Sequence, residues 1–440
     1  MRLTPLALAA VLFAAGCLDS DSAPAAPPDL PAVPAPPFVL VESIIALDDA
    51  GSEPSLGVTP AGYLFTDLGS NVYRSTDEGR TWEFMADPNA PVPNFDPDLA
   101  VSVDGTVWES RLYIGCAAVA SSQDDGKTWT SNPAVCPLAG GDRQYVVPTT
   151  DCEAYLYFHQ LPTFYQTATK TTDCGVTWIP TGPPEFPDHF LLANGGSGWG
   201  GGGFYNPVTG SVFFTFSYSH AQGLDQPVDV AGAGFTVTRD GGLTWTARQA
   251  AVLDGQQLGL GLVTGAADDA GNVYLTWGEA LGENADDLAI FVAASQDDGE
   301  TWSDKIRVDT GIGSKVFPVI VAGNAGKIAV AYYEGSEAAF PDNMDGTWNV
   351  TLAYTSDFFA DNATFGHAQL TSSPVKEGPI CISGTTCTGN REFADYFDAV
   401  RMPDGRVGVT YNLLEDGDGD LRNGFAMTSA PLLGPRPAAS

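Results

Sequence analysis

The chain has 440 residues, with 19 basic against 54 acidic side chains, a formal charge of −35. Acidity on this scale argues against nucleic acid and anionic lipid surfaces as partners. It is compatible with calcium, with basic ligands, or with solubility alone.

Residues 1–16 carry one Arg and an apolar run from Leu6 to Ala15, which is a signal peptide and too short for a membrane span. Ala14-Ala15-Gly16 directly before Cys17 resembles a bacterial lipobox, so Cys17 is the expected lipidated first residue of the mature chain. Leu18, in place of Asp, points to the outer membrane or the cell surface. The membrane is then met through the lipid alone. Residues 17–37 are a Pro/Ala-rich tether, extended and without a core.

Downstream, one pattern returns five times. S-T-D-E-G-R-T-W ends at Trp82, S-Q-D-D-G-K-T-W at Trp129 and T-T-D-C-G-V-T-W at Trp178. T-R-D-G-G-L-T-W ends at Trp245 and S-Q-D-D-G-E-T-W at Trp302. The Ser/Thr and Asp side chains can bond the amides of a tight turn. The Gly supplies a positive φ, and the Trp opens the next strand and is expected to pack back on its own hairpin. Asp77, Asp124, Asp173, Asp240 and Asp297 are therefore structural.

These repeats resemble the Asp-box, or BNR repeat, of the sialidase-like β-propeller superfamily. The resemblance implies an all-β propeller over residues 38–434, with 435–440 as a tail. It names no reaction.

Short strands separated by turn signals give seven second strands, from Tyr63–Thr66 to Val407–Asn412, and so seven blades; six is the alternative. The last two blades lose the repeat. Phe38–Ile45 is expected to close the ring as the outer strand of the last one. With Cys17 set aside, six cysteines remain, an even number suited to an exported protein. Strand direction pairs Cys116 with Cys136 and Cys152 with Cys174. Cys381 and Cys387 share one loop and pair with each other.

The repeats mark one face, called the bottom, so ligands are expected at the opposite one. Acids such as Glu279, Glu334 and Asp342 crowd its loops. Glu53, Asp96, Asp142 and Asp395 begin inner strands near the channel mouth, and Trp199 and Trp348 are candidate stacking surfaces for a sugar. Asp416, Asp418 and Asp420 alternate along a Gly-rich turn, a spacing that can aim oxygens at calcium, the candidate cofactor.

A sialidase implies three arginines on a substrate carboxylate, a Tyr nucleophile and an acid/base carboxylate. Arg143, Arg391 and Tyr396 are the candidates here, and the family's Arg-Ile-Pro motif is missing. Arg143 and Arg391 read equally as structural ion bridges. The leading expectation is a monomeric, exported, lipid-anchored propeller that binds a carbohydrate or protein ligand through its acidic top face. An exo-sialidase and a non-catalytic surface scaffold are the alternatives.

Overall fold

The computed structural model describes residues 38–437, except 39–40, 47–50, 70, 87, 89–95, 114–115, 136–139, 161–165, 183, 186–196, 220–229, 254–261, 282–286, 312, 383–386 and 415–419. The expected signal peptide, Cys17 and the expected tether lie outside them.

Alternating β-branched, aromatic and small residues make antiparallel strands. The strands form seven sheets, each a blade, so the count is seven and not six. Blade one runs through Ser55–Val58, Leu64–Asp67, Val72–Ser75 and Glu83–Ala86. Blade two begins at Asp98–Val101, blade three at Gly141–Pro148 and blade four at Ser197–Asn206. Blade five begins at Thr264–Ala267, blade six at Lys315–Ala322 and blade seven at Ala399–Arg401. These first strands touch in sequence around the axis, and the first meets the last. Among the described residues the one helical element is the 3-10 turn Pro341–Asn343.

Blade seven is closed as expected. Val41–Ala46 pairs antiparallel with Leu421–Met427, placing Val41 opposite Met427. Residues 39–40, at the front of the expected strand, lie outside the described residues.

Gly198 and glycines 200–203 fall in the innermost strand of blade four, Ser197–Asn206. A β-carbon on Gly201 would sit 2.1 Å from the Val263 carbonyl oxygen, so only Gly permits that approach of backbone to backbone.

All five repeats adopt one geometry. In the first, Asp77 accepts from the Thr81 amide at 2.9 Å and the Thr81 hydroxyl at 2.7 Å, while Ser75 Oγ accepts from the Gly79 amide at 2.8 Å. Asp124, Asp173, Asp240 and Asp297 repeat these bonds. The Thr128 amide, followed by its hydroxyl, holds Asp124 below the usual carboxylate range. Burial pushes Asp297 up, but the Thr301 hydroxyl and amide outweigh it and leave it at about 2.

The tryptophans do two things. Trp129, Trp178 and Trp302 fold back as expected, donating their indole N–H to the Gly126, Gly175 and Gly299 carbonyls of their own hairpins at 3.1, 3.1 and 3.2 Å. Four of the rings also reach across to the preceding blade. Trp82 meets Phe425 of blade seven edge-on at 5.4 Å, and Trp178 meets Trp108 of blade two at 6.2 Å. Trp245 meets Tyr155 of blade three at 5.9 Å and Trp302 meets Phe235 of blade four at 5.4 Å. Each repeat is thus a staple between blades, contributing about 0.5–1.5 kcal/mol per aromatic pair beyond area burial.

Two expected disulfides are formed, Cys152–Cys174 and Cys381–Cys387. Cys116 is also disulfide-bonded, and its expected partner Cys136 lies outside the described residues.

On the bottom face Arg401 is a buried hub. It donates to Asp269 of blade five at 2.8 and 2.9 Å, to Asn324 of blade six at 2.8 Å, and to the Gly434 and Pro435 carbonyls. The Arg436 amide bonds Pro403, so the first residues of the expected tail pack on the propeller.

Candidate binding site at the channel mouth

At the top of the axis the inner strands begin with residues in an uncommon backbone state. Glu53 has φ 63°, Asp96 φ 48° and Arg143 φ 50°. Side-chain-bearing residues enter this left-handed region at a cost of roughly 1–3 kcal/mol each, and such positions cluster at functional sites. A local irregularity accompanies the strain: the pairing of blade three shifts register between Asp142 and Tyr145.

These residues converge on Asp395, which is contributed by the stretch leading into blade seven. Arg143 donates through Nη2 to Asp395 Oδ2. Arg391 grips both oxygens of the same carboxylate, with Nη2 2.9 Å from Oδ2. Burial pushes Asp395 up, but Arg143 and then Arg391 outweigh it and hold the carboxylate below its usual range. Burial likewise disfavours the Arg143 charge, and Asp395 more than restores it. The structure therefore brings Arg143 and Arg391 together, on an internal carboxylate.

Glu53 faces this assembly. It is only 4 % exposed, and no hydrogen bond to it is made among the described residues. Burial, followed by the like charges of Asp96 and Asp395, raises its pKa well above the ordinary value. Arg143 and Arg391 oppose that shift without cancelling it. The shift favours the protonated form of Glu53, which can donate a hydrogen bond.

Asp96 is raised to about 6, first by burial, with the neighbouring Asp142 carboxyl bonded to it and Arg143 pulling the other way. Gln144 donates to the Asp96 carbonyl, while its own Oε1 and the Ser55 hydroxyl are buried without partners. Orphaned buried polar atoms beside strained ionisable residues are the signature of a site built for something other than the fold.

Tyr396 lies at this mouth, but its position does not suit a nucleophile. Its hydroxyl donates to the Pro97 carbonyl at 2.9 Å, and burial raises its pKa well above the ordinary value. Tyr145, whose ring is 6.2 Å from that of Tyr396, donates to the Gly200 carbonyl at 3.2 Å.

Trp348 is corrected outright. It is fully buried in the core of blades six and seven, its indole N–H on the Gly378 carbonyl at 2.9 Å, so it offers no stacking face. The Trp199 side chain lies outside the described residues, as do Asp416 and Asp418. Of that trio only Asp420 is described, just before Leu421–Met427. Among the described residues no group of three Asp, Glu, His or Cys could hold a metal ion.

Part of the acidic top is structural. Glu279 is bonded by Trp277 at 2.8 Å and by Lys305, Glu334 accepts from Thr351 at 2.9 Å, and Asp342 accepts from the Ile382 amide at 2.8 Å.

Two features escaped the sequence reading. Asp98 accepts from the Val146 amide at 2.6 Å and Asp398 from the Leu56 amide at 2.9 Å, each joining its blade to the next. Burial raises these carboxyls to about 8 and about 7, although each keeps an edge open to solvent. Beside them Asp67, Glu109 and Arg111 form a fully buried ionic cluster between blades one and two.

No protein-family model matches this chain, and no curated protein matches it. Solved structures do resemble it. A protein of unknown function from Dyadobacter fermentans has 16 % identity and a TM-score of 0.49, over 90 % of this chain and 98 % of that one. An α-L-arabinofuranosidase from Fusarium graminearum has 12 % identity and a TM-score of 0.46, over 71 % of this chain and 96 % of that one. An intramolecular trans-sialidase from Ruminococcus gnavus has 13 % identity and a TM-score of 0.43, over 90 % and 99 %. Likeness of this degree carries no substrate to the present chain.

Proposed function

We propose that the channel mouth binds an uncharged, hydroxyl-rich ligand, a glycan being the fitting class, on an exported propeller tethered through Cys17. The observation that carries this reading is Glu53: buried, bonded to no described residue, on strained backbone, and facing the Arg143–Asp395–Arg391 assembly.

Chemistry favours a neutral ligand. The guanidinium charges are partly met by Asp395, and burial favours the neutral form of Glu53. What remains is a set of donors and acceptors: the Glu53 carboxyl, the Asp96–Asp142 carboxyl pair and the outer edge of Arg391. Sugar hydroxyls both donate and accept, so they can complete such a set without bringing charge into it. Calcium joins the proposal only through the Asp416–Asp420 turn, as a separate support of the top face.

The test is a glycan array probed with the full chain in detergent, followed by calorimetry on the best neutral hit. Glu53→Ala and Arg391→Ala should each weaken binding by more than about tenfold while the melting transition persists. An array with no neutral hit, or binding indifferent to both substitutions, would sink the reading.

A further inference from the structure

Two guanidinium groups from different parts of the ring close on one carboxylate at the mouth. Arg143 comes from the inner strand of blade three, and Arg391 from the excursion that precedes blade seven. Arg391 spans both oxygens, the fork-on-fork arrangement by which arginine captures the carboxylate of a bound molecule. Here the carboxylate belongs to the protein.

We infer that Asp395 is a resident carboxylate that occupies an anion-binding arginine pair, and so sets the mouth's selectivity against acidic sugars. This deepens the reading of the mouth as a glycan site.

The local structure supports the assignment. The excursion from Gly378 to Asp398 is long and holds no strand among its described residues, so Asp395 is not placed by a sheet register. Dedicated contacts hold it instead. The Cys381–Cys387 disulfide ties the loop, and the Cys381 amide bonds the Asn390 carbonyl at 2.8 Å, just before Arg391. The Ala394 amide bonds the Arg391 carbonyl at 3.0 Å, closing a turn that puts Arg391 and Asp395 on one side. The Asn412 side chain then bonds the Phe393 carbonyl at 3.3 Å. Two residues in this turn, Asn390 and Ala394, have φ of 56° and 47°. Backbone strain of this kind persists only where surrounding contacts over-determine it.

The consequence for ligands is direct. An acidic sugar entering the wild-type mouth meets arginines already occupied by the Asp395 carboxylate, which is of its own sign. With the Asp395 charge removed, two guanidiniums, Arg143 buried and Arg391 partly open to solvent, are left seeking a carboxylate, and a soluble one of similar size can supply it.

The experiment is thermal denaturation of the full chain in sodium glucuronate or sodium acetate, against sodium chloride of equal ionic strength. Wild type, Asp395→Asn and Asp395→Ala are compared. The wild type should gain nothing from either carboxylate. Both variants should melt higher as the carboxylate concentration rises, and calorimetry should show glucuronate binding at least about tenfold tighter than to wild type. If Asp395→Ala folds poorly, recovery of its melting transition by added carboxylate is the expected result.

Carboxylate stabilisation of the wild type would overturn the inference, as would folded variants that gain no binding, or unfolded ones that no carboxylate restores. These outcomes are independent of the glycan array. A wild type that binds neutral glycans beside variants that gain no anion binding defeats this inference alone. Variants that gain anion binding beside an empty array defeat the glycan reading alone.

Discussion

The Asp398 carboxyl accepts the amide hydrogen of Leu56 across the seam between the last blade and the first, at 2.9 Å. That amide opens the inner strand of blade one, and within its own sheet Leu56 lies opposite Thr66. Asp398→Ala would leave the amide without its side-chain partner and is expected to cost about 1–3 kcal/mol. A lowered urea midpoint with an unchanged slope is the readout.

Stability should fall as pH rises from about 4 to about 8. Asp96 near 6, Asp398 near 7, Asp98 near 8 and the raised Glu53 all keep protons in the fold that the unfolded chain releases near pH 4. The native state therefore binds more protons across that window, and raising the pH favours unfolding. The repeat aspartates and Asp395 act oppositely: their pKa values are depressed, so their stabilisation is lost as pH falls below about 4. Calorimetric melts should peak near pH 4–5, and Asp98→Asn should flatten the descent above the peak. A melting temperature that rises steadily to pH 8 would contradict the assignment.

Asp124→Ala removes the acceptor for the Thr128 amide, the Thr128 hydroxyl and the Ser122 hydroxyl together. The loss should be about 1–3 kcal/mol, measured by chemical denaturation. Because Trp129 sits in the same hairpin, loosening should spread to Phe65 of blade one, which hydrogen exchange can localise.

Tyr396→Phe tests the catalytic alternative. Losing the bond to Pro97 should cost about 1 kcal/mol and leave glycan affinity within about twofold. Wild-type protein should release no fluorophore from a generic sialoside. Turnover that vanishes in the Phe variant would restore the nucleophile role.

Much of the ring was legible in the sequence because each repeat carries its own turn chemistry. The need for a closing strand was readable in Thr428-Ser429-Ala430, where the pattern has decayed. The mouth residues Glu53, Asp96, Arg143 and Asp395 were legible by position, since starts of inner strands must face the axis. What stayed hidden were relationships between blades. Trp348 looked like an exposed loop aromatic, but the short pairing of Thr347 and Trp348 with Lys376 and Glu377 carries it into the core. Asp98 and Asp398 were legible as acids at inner-strand starts near the mouth, but nothing in the chain order announces the amide each accepts from the next blade.

The pairing of Val41 with Met427 fixes the order in which the molecule can be completed. A chain threaded amino-end first exposes the Val41–Ala46 edge long before Leu421–Met427 arrives to cover it. Until then blade one lacks the neighbour whose Phe425 receives Trp82, and an unpaired strand edge is open to self-association. Closure is a contact of very long sequence separation and therefore a slow, late step.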